Sequence, residues 1–116
     1  MLTLYTYAKC GTCRKAIAHL AKRGIPFVEK PIRDQPPSLA ELKAMHASIG
    51  DLRRLFNTSG QDYRALGIKD VLPGMTDAQA LRLLAGNGNL IKRPFVPLPD
   101  GGLVGFDAAE WQRRIR

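Results

Sequence analysis

The sequence predicts an α/β fold, in which helices pack on a four-stranded mixed sheet. Three observations predict it: a strand, a helix and a strand in residues 2–30, short helices without a strand at about 38–89, and two strands and a helix after that. The chain has 116 residues, of which 45% are hydrophobic and 24% charged, values ordinary for a globular protein of one domain. We therefore expect a single domain, residues 1–116, with the order βαβ, helical insert, ββα.

The N-terminal unit has clear boundaries in the sequence. Residues 2–6 are β-branched, aromatic or apolar and predict a buried strand, and residues 15–23 are good helix formers. Gly24 ends this helix, and residues 27–30 form a second strand. The short connection predicts that the two strands are parallel, with a right-handed crossover. The predicted inward face of the helix carries Ile17, Leu20 and Ala21.

The insert and the C-terminal unit carry the usual signals of helix ends and turns. Capping boxes at Ser38 and Thr76 predict the starts of two helices, which end at Gly50 and near Gly86. Residues 90–98 read as an approach and a strand, and residues 100–102 as a hairpin turn into a strand at 103–106. An amphipathic helix then follows Asp107.

Two cysteines lie between the first strand and the first helix. The free amides and the dipole at a helix N-terminus favour a thiolate at Cys10, and the cations Lys9, Arg14 and Lys15 act in the same direction. The spacing allows Cys13 to reach a mixed disulfide formed at Cys10. Because the pair follows the first strand of this order of elements, we interpret the fold as a thioredoxin-like, glutaredoxin-type sandwich with thiol redox chemistry.

The two cysteines could instead have a structural role. A zinc site needs four ligands, and outside the pair the chain offers only His19 and His46, which are not spaced as a ligand pair. A structural disulfide would close a very short loop and gain little stability. Two inert, buried cysteines remain an alternative, because free cysteine is often a small core residue.

Composition limits the other classes of function. The net charge is +8, but the basic residues are scattered apart from Arg53, Arg54 and the terminal residues 113–116. We interpret them as solvated faces that could attract acidic partners, glutathione or an oxyanion, and expect no direct binding of nucleic acid. There is no long apolar run, signal peptide or glycine-rich nucleotide motif, so we expect a cytoplasmic protein without a membrane partner, metal or bound cofactor.

Three segments together resemble one known family. They are residues 10–15 with both cysteines, the turn at residues 57–60 with Tyr63 and Arg64, and residues 91–94. In order and spacing the whole chain resembles the glutaredoxin-dependent arsenate reductases (ArsC) and their Spx-type and YffB-type relatives. The resemblance implies a thioredoxin-like fold with a helical insert, a catalytic Cys10, an oxyanion-binding Arg93 and a cis proline at Pro94.

These implied roles agree with elementary chemistry. Helix N-terminal amides can hold a tetrahedral oxyanion while a guanidinium supplies two donors. The residues predicted to bind an oxyanion or glutathione are Gly11, Thr12, Arg14, Arg93 and Pro94. Arsenate-reducing members carry two further arginines, where this chain has Asn57 and residues 103–106. Each lost charge-assisted contact is expected to cost about 1.5–3 kcal/mol of oxyanion affinity.

The sequence leaves two functions open. One is a thiol-dependent redox enzyme in which Cys10 reacts first, Cys13 or glutathione resolves the intermediate, and glutathione or glutaredoxin is the partner. The other is an Spx-type redox-sensing regulator that binds the α subunit of RNA polymerase.

Overall fold

The structure is a computed structural model that describes all 116 residues. Its four strands are β1 (Leu2–Thr6), β2 (Phe27–Pro31), β3 (Phe95–Leu98) and β4 (Gly101–Val104). Its six α-helices are α1 (Gly11–Lys22), α2 (Leu39–Ile49), α3 (Gln61–Ala65), α4 (Ile68–Val71), α5 (Asp77–Ala85) and α6 (Ala108–Arg114). Short 3₁₀ helices at Leu52–Leu55, Leu72–Gly74 and Gly88–Leu90 complete the segment between β2 and β3. The predicted order of elements is confirmed.

The strands form one mixed sheet in the order β2-β1-β3-β4. β1 and β2 are parallel, as the short helical connection predicts, and their register pairs Thr6 with Pro31. β3 is antiparallel to both β1 and β4. The carboxyl ends of β1 and β2 therefore lie side by side, directly before the cysteine motif and the chain that leaves β2.

Alternating side chains of the sheet contribute to two separate hydrophobic cores, one on each face. Leu4 and Val96 pack against α1 and α6, in a core that contains Ala16, Leu20 and Trp111. Their neighbours along the strands point to the opposite face, where the larger core is formed with α2 and α5. Because side chains in a strand alternate between faces, β1 and β3 each contribute to both cores.

The helix ends in the structure agree with those predicted from the sequence, whereas the predicted buried face of α1 is wrong at one residue. Ser38 and Thr76 both form reciprocal capping boxes, and Gly50 adopts a left-handed conformation at the end of α2. The prediction that Ala21 faces the core is wrong. Ala16 is fully buried there instead, and Ala21 is exposed, because Leu20 and Ala16 occupy the same stripe four residues apart.

The predicted hairpin turn at residues 100–102 is too long at its C-terminal end. Gly101 and Gly102 belong to β4 and pair with Leu98 and Pro97. A Cβ atom on Gly102 would overlap the Val96 carbonyl oxygen. A Cβ atom on Gly101 would overlap the Ser48 side chain of α2. Both glycines are thus required by close approach of neighbouring elements, which the sequence does not distinguish from a turn. No helix is both long and apolar enough to cross a bilayer.

Candidate active site

Cys10 is the N-cap residue of α1. Its backbone is extended (φ −93°, ψ 113°), and its Sγ atom accepts a hydrogen bond from the backbone N–H of Cys13 at 3.2 Å. The Cys10 N–H donates to the carbonyl oxygen of Tyr7 at 3.0 Å, which fixes the turn from β1 into the helix. The Cys10 thiol thus takes the capping place that Ser or Asp fills in other helices, and it is partly exposed.

Cys13 lies one turn further into the helix and is buried, with 1% of its surface exposed. Burial, together with the hydrogen bond to Cys10 and the charge of Cys10, raises the pKa of the Cys13 thiol from 9.0 to about 12. The backbone of Tyr7 and the charge of Arg93 lower this pKa, but their effect is weaker. At neutral pH Cys13 is therefore a protonated thiol, and the two cysteines have different environments.

Arg93 and Pro94 approach the motif from the start of β3. The peptide bond between them is cis, as the resemblance implied, and Pro94 is buried. The Arg93 guanidinium lies 4.7 Å from the centre of the Tyr7 ring. The charge of Arg93 also lowers the pKa of the Cys13 thiol, although burial outweighs it.

The other residues predicted to bind an anion lie at the surface of the first turn of α1. Gly11 and Thr12 are exposed, and Thr12 borders a separate cavity of about 550 Å³ that also contains Lys92. Arg14 is exposed and donates to the carbonyl oxygen of Ala8 at 3.2 Å. Arg14 is not among the lining residues of the cavity that holds Arg93, and a binding role for it stays a prediction.

A polar cavity of about 410 Å³ adjoins the motif through Tyr7. Its lining includes Tyr7, Arg33, Asn57, Asp62 and Arg93. The sequence reasoning missed Tyr7 and Arg33. A signal was present, since one residue follows β1 and the other follows β2, and parallel strands bring their carboxyl ends together.

A four-stranded mixed sheet with Cys10 and Cys13 at the start of α1, near a cis proline, defines this chain as a thioredoxin-like protein. The chain belongs to the ArsC family, whose model matches residues 5–114. The predicted fold and the resemblance are both confirmed.

Three relatives illustrate the range of the family. YusI of Bacillus subtilis is 46% identical over 112 residues, which cover 96% of this chain and 95% of YusI. The global transcriptional regulator Spx of Enterococcus faecalis is 36% identical, covering 97% of this chain and 85% of Spx. The arsenate reductase of Rhizobium meliloti is also 36% identical, covering 86% of this chain and 71% of the reductase. A regulator and a reductase thus both match most of the chain.

Solved structures agree with the family assignment. The crystal structure of an ArsC family related protein from Bacteroides fragilis superimposes with a TM-score of 0.91 at 38% identity. The match covers 97% of this chain and 95% of the other.

Proposed function

We propose that the protein is a thiol-dependent redox enzyme in which Cys10 is the nucleophile. The observation that carries the proposal is the asymmetry of the cysteine pair. Cys10 is partly exposed at the N-terminus of α1, whereas Cys13 is buried and protonated at neutral pH. An external substrate can therefore reach only the first sulfur.

The proposed reaction is a thiol–disulfide exchange. The Cys10 thiolate attacks one sulfur of a substrate disulfide RS–SR′, so that a Cys10–SR disulfide forms and R′S⁻ leaves and takes a proton from solvent. A second thiol then attacks this mixed disulfide. If Cys13 attacks Cys10 Sγ, it loses its proton, RSH is released and the Cys10–Cys13 disulfide holds the oxidising equivalent. If glutathione attacks the substrate sulfur, Cys10 leaves as thiolate and a glutathione disulfide forms.

The environment of Cys13 supports its use after the first step. Two of the effects that raise its pKa are the hydrogen bond to Cys10 and the charge of Cys10. Both disappear when Cys10 enters a mixed disulfide, so Cys13 becomes easier to deprotonate at that stage. Burial still raises the pKa of the Cys13 thiol, which slows its attack. Glutathione can therefore compete with Cys13 as the resolving thiol.

The test is reduction of a glutathione mixed disulfide by the wild type and by Cys10→Ser and Cys13→Ser. We expect Cys10→Ser to be inactive. Full activity of that variant would refute the proposal. Activity that survives in Cys13→Ser assigns resolution to glutathione, and a single turnover that stops at the mixed disulfide assigns it to Cys13.

An arsenate assay with glutathione and glutaredoxin extends the same experiment. The cavity that contains Arg93 also contains Arg33, but it has Asn57 at the position where arsenate-reducing members carry a further arginine. We therefore expect arsenate to be a weak substrate beside a disulfide.

A second candidate function is favoured by the relatives. An Spx regulator matches 97% of this chain at 36% identity, and the two cysteines of this chain are in direct contact through a hydrogen bond. In this case the protein would bind the C-terminal domain of the RNA polymerase α subunit, and the redox state of the pair would control binding. A pull-down with that domain, under reducing and oxidising conditions, tests the idea, and no binding in either state would exclude it.

A further inference from the structure

The two parallel strands place Tyr7 and Arg33 at the same edge of the sheet. Pairing between β1 and β2 continues past the last strand residues, because the N–H of Ile32 donates to the carbonyl oxygen of Thr6 at 2.9 Å. Tyr7 and Arg33 are the next residue on each chain segment. The Arg33 guanidinium donates to the Tyr7 hydroxyl at 3.1 Å.

Tyr7 is in contact with two guanidinium groups. Arg33 lies 5.1 Å and Arg93 lies 4.7 Å from the centre of its ring. Arginine stacks readily on aromatic rings, and in this position its remaining N–H donors stay free for a ligand. Tyr7 thus contacts one cation that follows β2 and one that precedes β3. All three residues line the same cavity.

Neither guanidinium is neutralised by a carboxylate. The ion pair found in the chain joins Arg114 and Asp100, which lie at the β4 and α6 end of the molecule. No side-chain hydrogen bond involves Arg93, and that of Arg33 goes to a neutral hydroxyl. Two cations on the border of one cavity, neither of them in an ion pair, make a site that favours an anion.

The acidic residue in the cavity lining, Asp62, offsets only one of these two charges. The Oδ2 atom of Asp62 accepts hydrogen bonds from the side-chain amides of Asn87 at 3.0 Å and Asn89 at 3.3 Å. It is held by α3 and the loop after α5, and it forms no ion pair with either arginine. The cavity therefore contains two guanidiniums that form no ion pair and one carboxylate, which leaves it with an excess of positive charge.

We propose that Arg33 is a second anion-binding arginine, which acts with the Arg93 that the family resemblance implies to hold the anionic group of the molecule that reacts at Cys10. Tyr7 is the residue that positions both guanidiniums. This inference deepens the proposed function and rests on it for the identity of the reacting sulfur. The ligand class is a substrate or co-substrate with a carboxylate or a tetrahedral oxyanion. Tyr7 lines the cavity, and its carbonyl oxygen accepts a hydrogen bond from the Cys10 N–H, so the cavity and the nucleophile are three residues apart on one turn.

Direct binding, without any redox step, provides the test. Two probes separate the sources of the anion: inorganic sulfate as an unreactive oxyanion, and S-methylglutathione, which has carboxylates but no thiol. Each is titrated into the reduced wild-type protein by NMR at low salt. The variants are Arg33→Ala, Arg33→Lys and Tyr7→Phe, and the control is Arg82→Ala, an exposed arginine of α5 outside the cavity.

We expect Arg33→Ala to bind at least one probe roughly fivefold to tenfold more weakly, as for an exposed charge-assisted contact. Arg33→Lys should recover part of the affinity, because it keeps the charge but loses the planar donor pair. Tyr7→Phe, which removes the hydroxyl that holds Arg33, should weaken binding less than Arg33→Ala. The probe that responds identifies the kind of anion.

The proposal is overturned if Arg33→Ala binds both probes as Arg82→Ala does, or if the wild type binds neither probe. Either result leaves the thiol chemistry intact, because that is judged separately by the inactivity of Cys10→Ser. Conversely, weaker binding in Arg33→Ala from a protein that reduces no disulfide would support the anion site and refute the proposed enzyme.

Discussion

The backbone N–H of Cys13 donates a hydrogen bond to the Sγ atom of Cys10 at 3.2 Å. This contact makes one cysteine the cap of α1, and the other is buried behind it. Two residues of the same type, three positions apart, thereby acquire different accessibility and different environments. The difference determines the order in which they can react.

The first prediction concerns alkylation of the native protein. Iodoacetamide at neutral pH should modify Cys10 and leave Cys13 unmodified, because Cys13 is 1% exposed and has a pKa raised to about 12. Mass spectrometry of tryptic peptides measures this directly. Denaturation before labelling should modify both residues, and equal labelling of both in the native protein would contradict the structure.

The second prediction separates binding from chemistry at Arg93. Its guanidinium rests on Tyr7 and has no hydrogen-bond partner within the protein. Arg93→Ala should raise KM for an anionic disulfide about tenfold or more, with a smaller change in kcat. Arg93→Lys should show an intermediate KM. A loss confined to kcat would assign Arg93 a role other than substrate binding.

The third prediction is a loss of stability at alkaline pH. The pKa of the Cys13 thiol is raised from 9.0 to about 12, chiefly by burial. The pKa of the Tyr5 hydroxyl is raised from 10.0 to about 12, by burial and by its hydrogen bond to Glu41. Above about pH 9 the unfolded chain loses these protons while the folded chain keeps them, so the free energy of unfolding falls as pH rises towards about 12.

Urea denaturation between about pH 8 and about pH 11 measures this fall. Cys13 alone should contribute a slope approaching about 1.4 kcal/mol per pH unit above its unfolded pKa. Cys13→Ala should remove that contribution, and Tyr5→Phe should remove the one that begins about one pH unit higher. Tyr63→Phe is the matched control, since the Tyr63 hydroxyl lacks the carboxylate partner that Tyr5 has in Glu41. A wild-type stability that is flat across this range would refute the prediction.

The fourth prediction tests the close approach within β4. Gly102 has a φ of +130°, and a Cβ atom there would overlap the Val96 carbonyl oxygen. Gly102→Ala should destabilise the protein by about 2–4 kcal/mol through strain and overpacking. Gly74→Ala is the control, because a Cβ atom there meets nothing within 4 Å. Similar melting temperatures for the two variants would disagree with this packing.

The fifth prediction concerns the contact between α1 and α6. The Arg23 guanidinium donates to the carbonyl oxygen of Trp111 at 3.3 Å and to that of Ile115, at the C-terminal end of α6. Arg23→Ala should cost about 1.5–3 kcal/mol, since it removes charge-assisted bonds to helix carbonyls. Lys22→Ala removes an exposed charge one residue earlier and should cost little. Thermal unfolding of both variants provides the comparison, and equal losses of stability would contradict the assigned contact.

Local signals in the sequence were sufficient for most of the fold. Capping boxes at Ser38 and Thr76 and the glycine at residue 50 act through neighbours within a few positions, so their effect on helix ends can be read directly. The position of Cys10 between the first strand and the first helix likewise follows from the local pattern. The errors at Ala21 and at Gly101 and Gly102 have one cause: each depends on which distant element packs there.

The sequence by itself determined the order of elements, the helix caps and the identity of the candidate nucleophile, because each depends on residues close together in the chain. Only the tertiary structure decided that Cys13 is buried, that Tyr7 contacts both Arg33 and Arg93, and that no carboxylate pairs with either cation. Arg33 and Arg93 are separated by the whole helical insert. Both lie against the Tyr7 ring because β1 is the neighbour of both β2 and β3, a pairing set by the burial of two cores on opposite faces of one sheet.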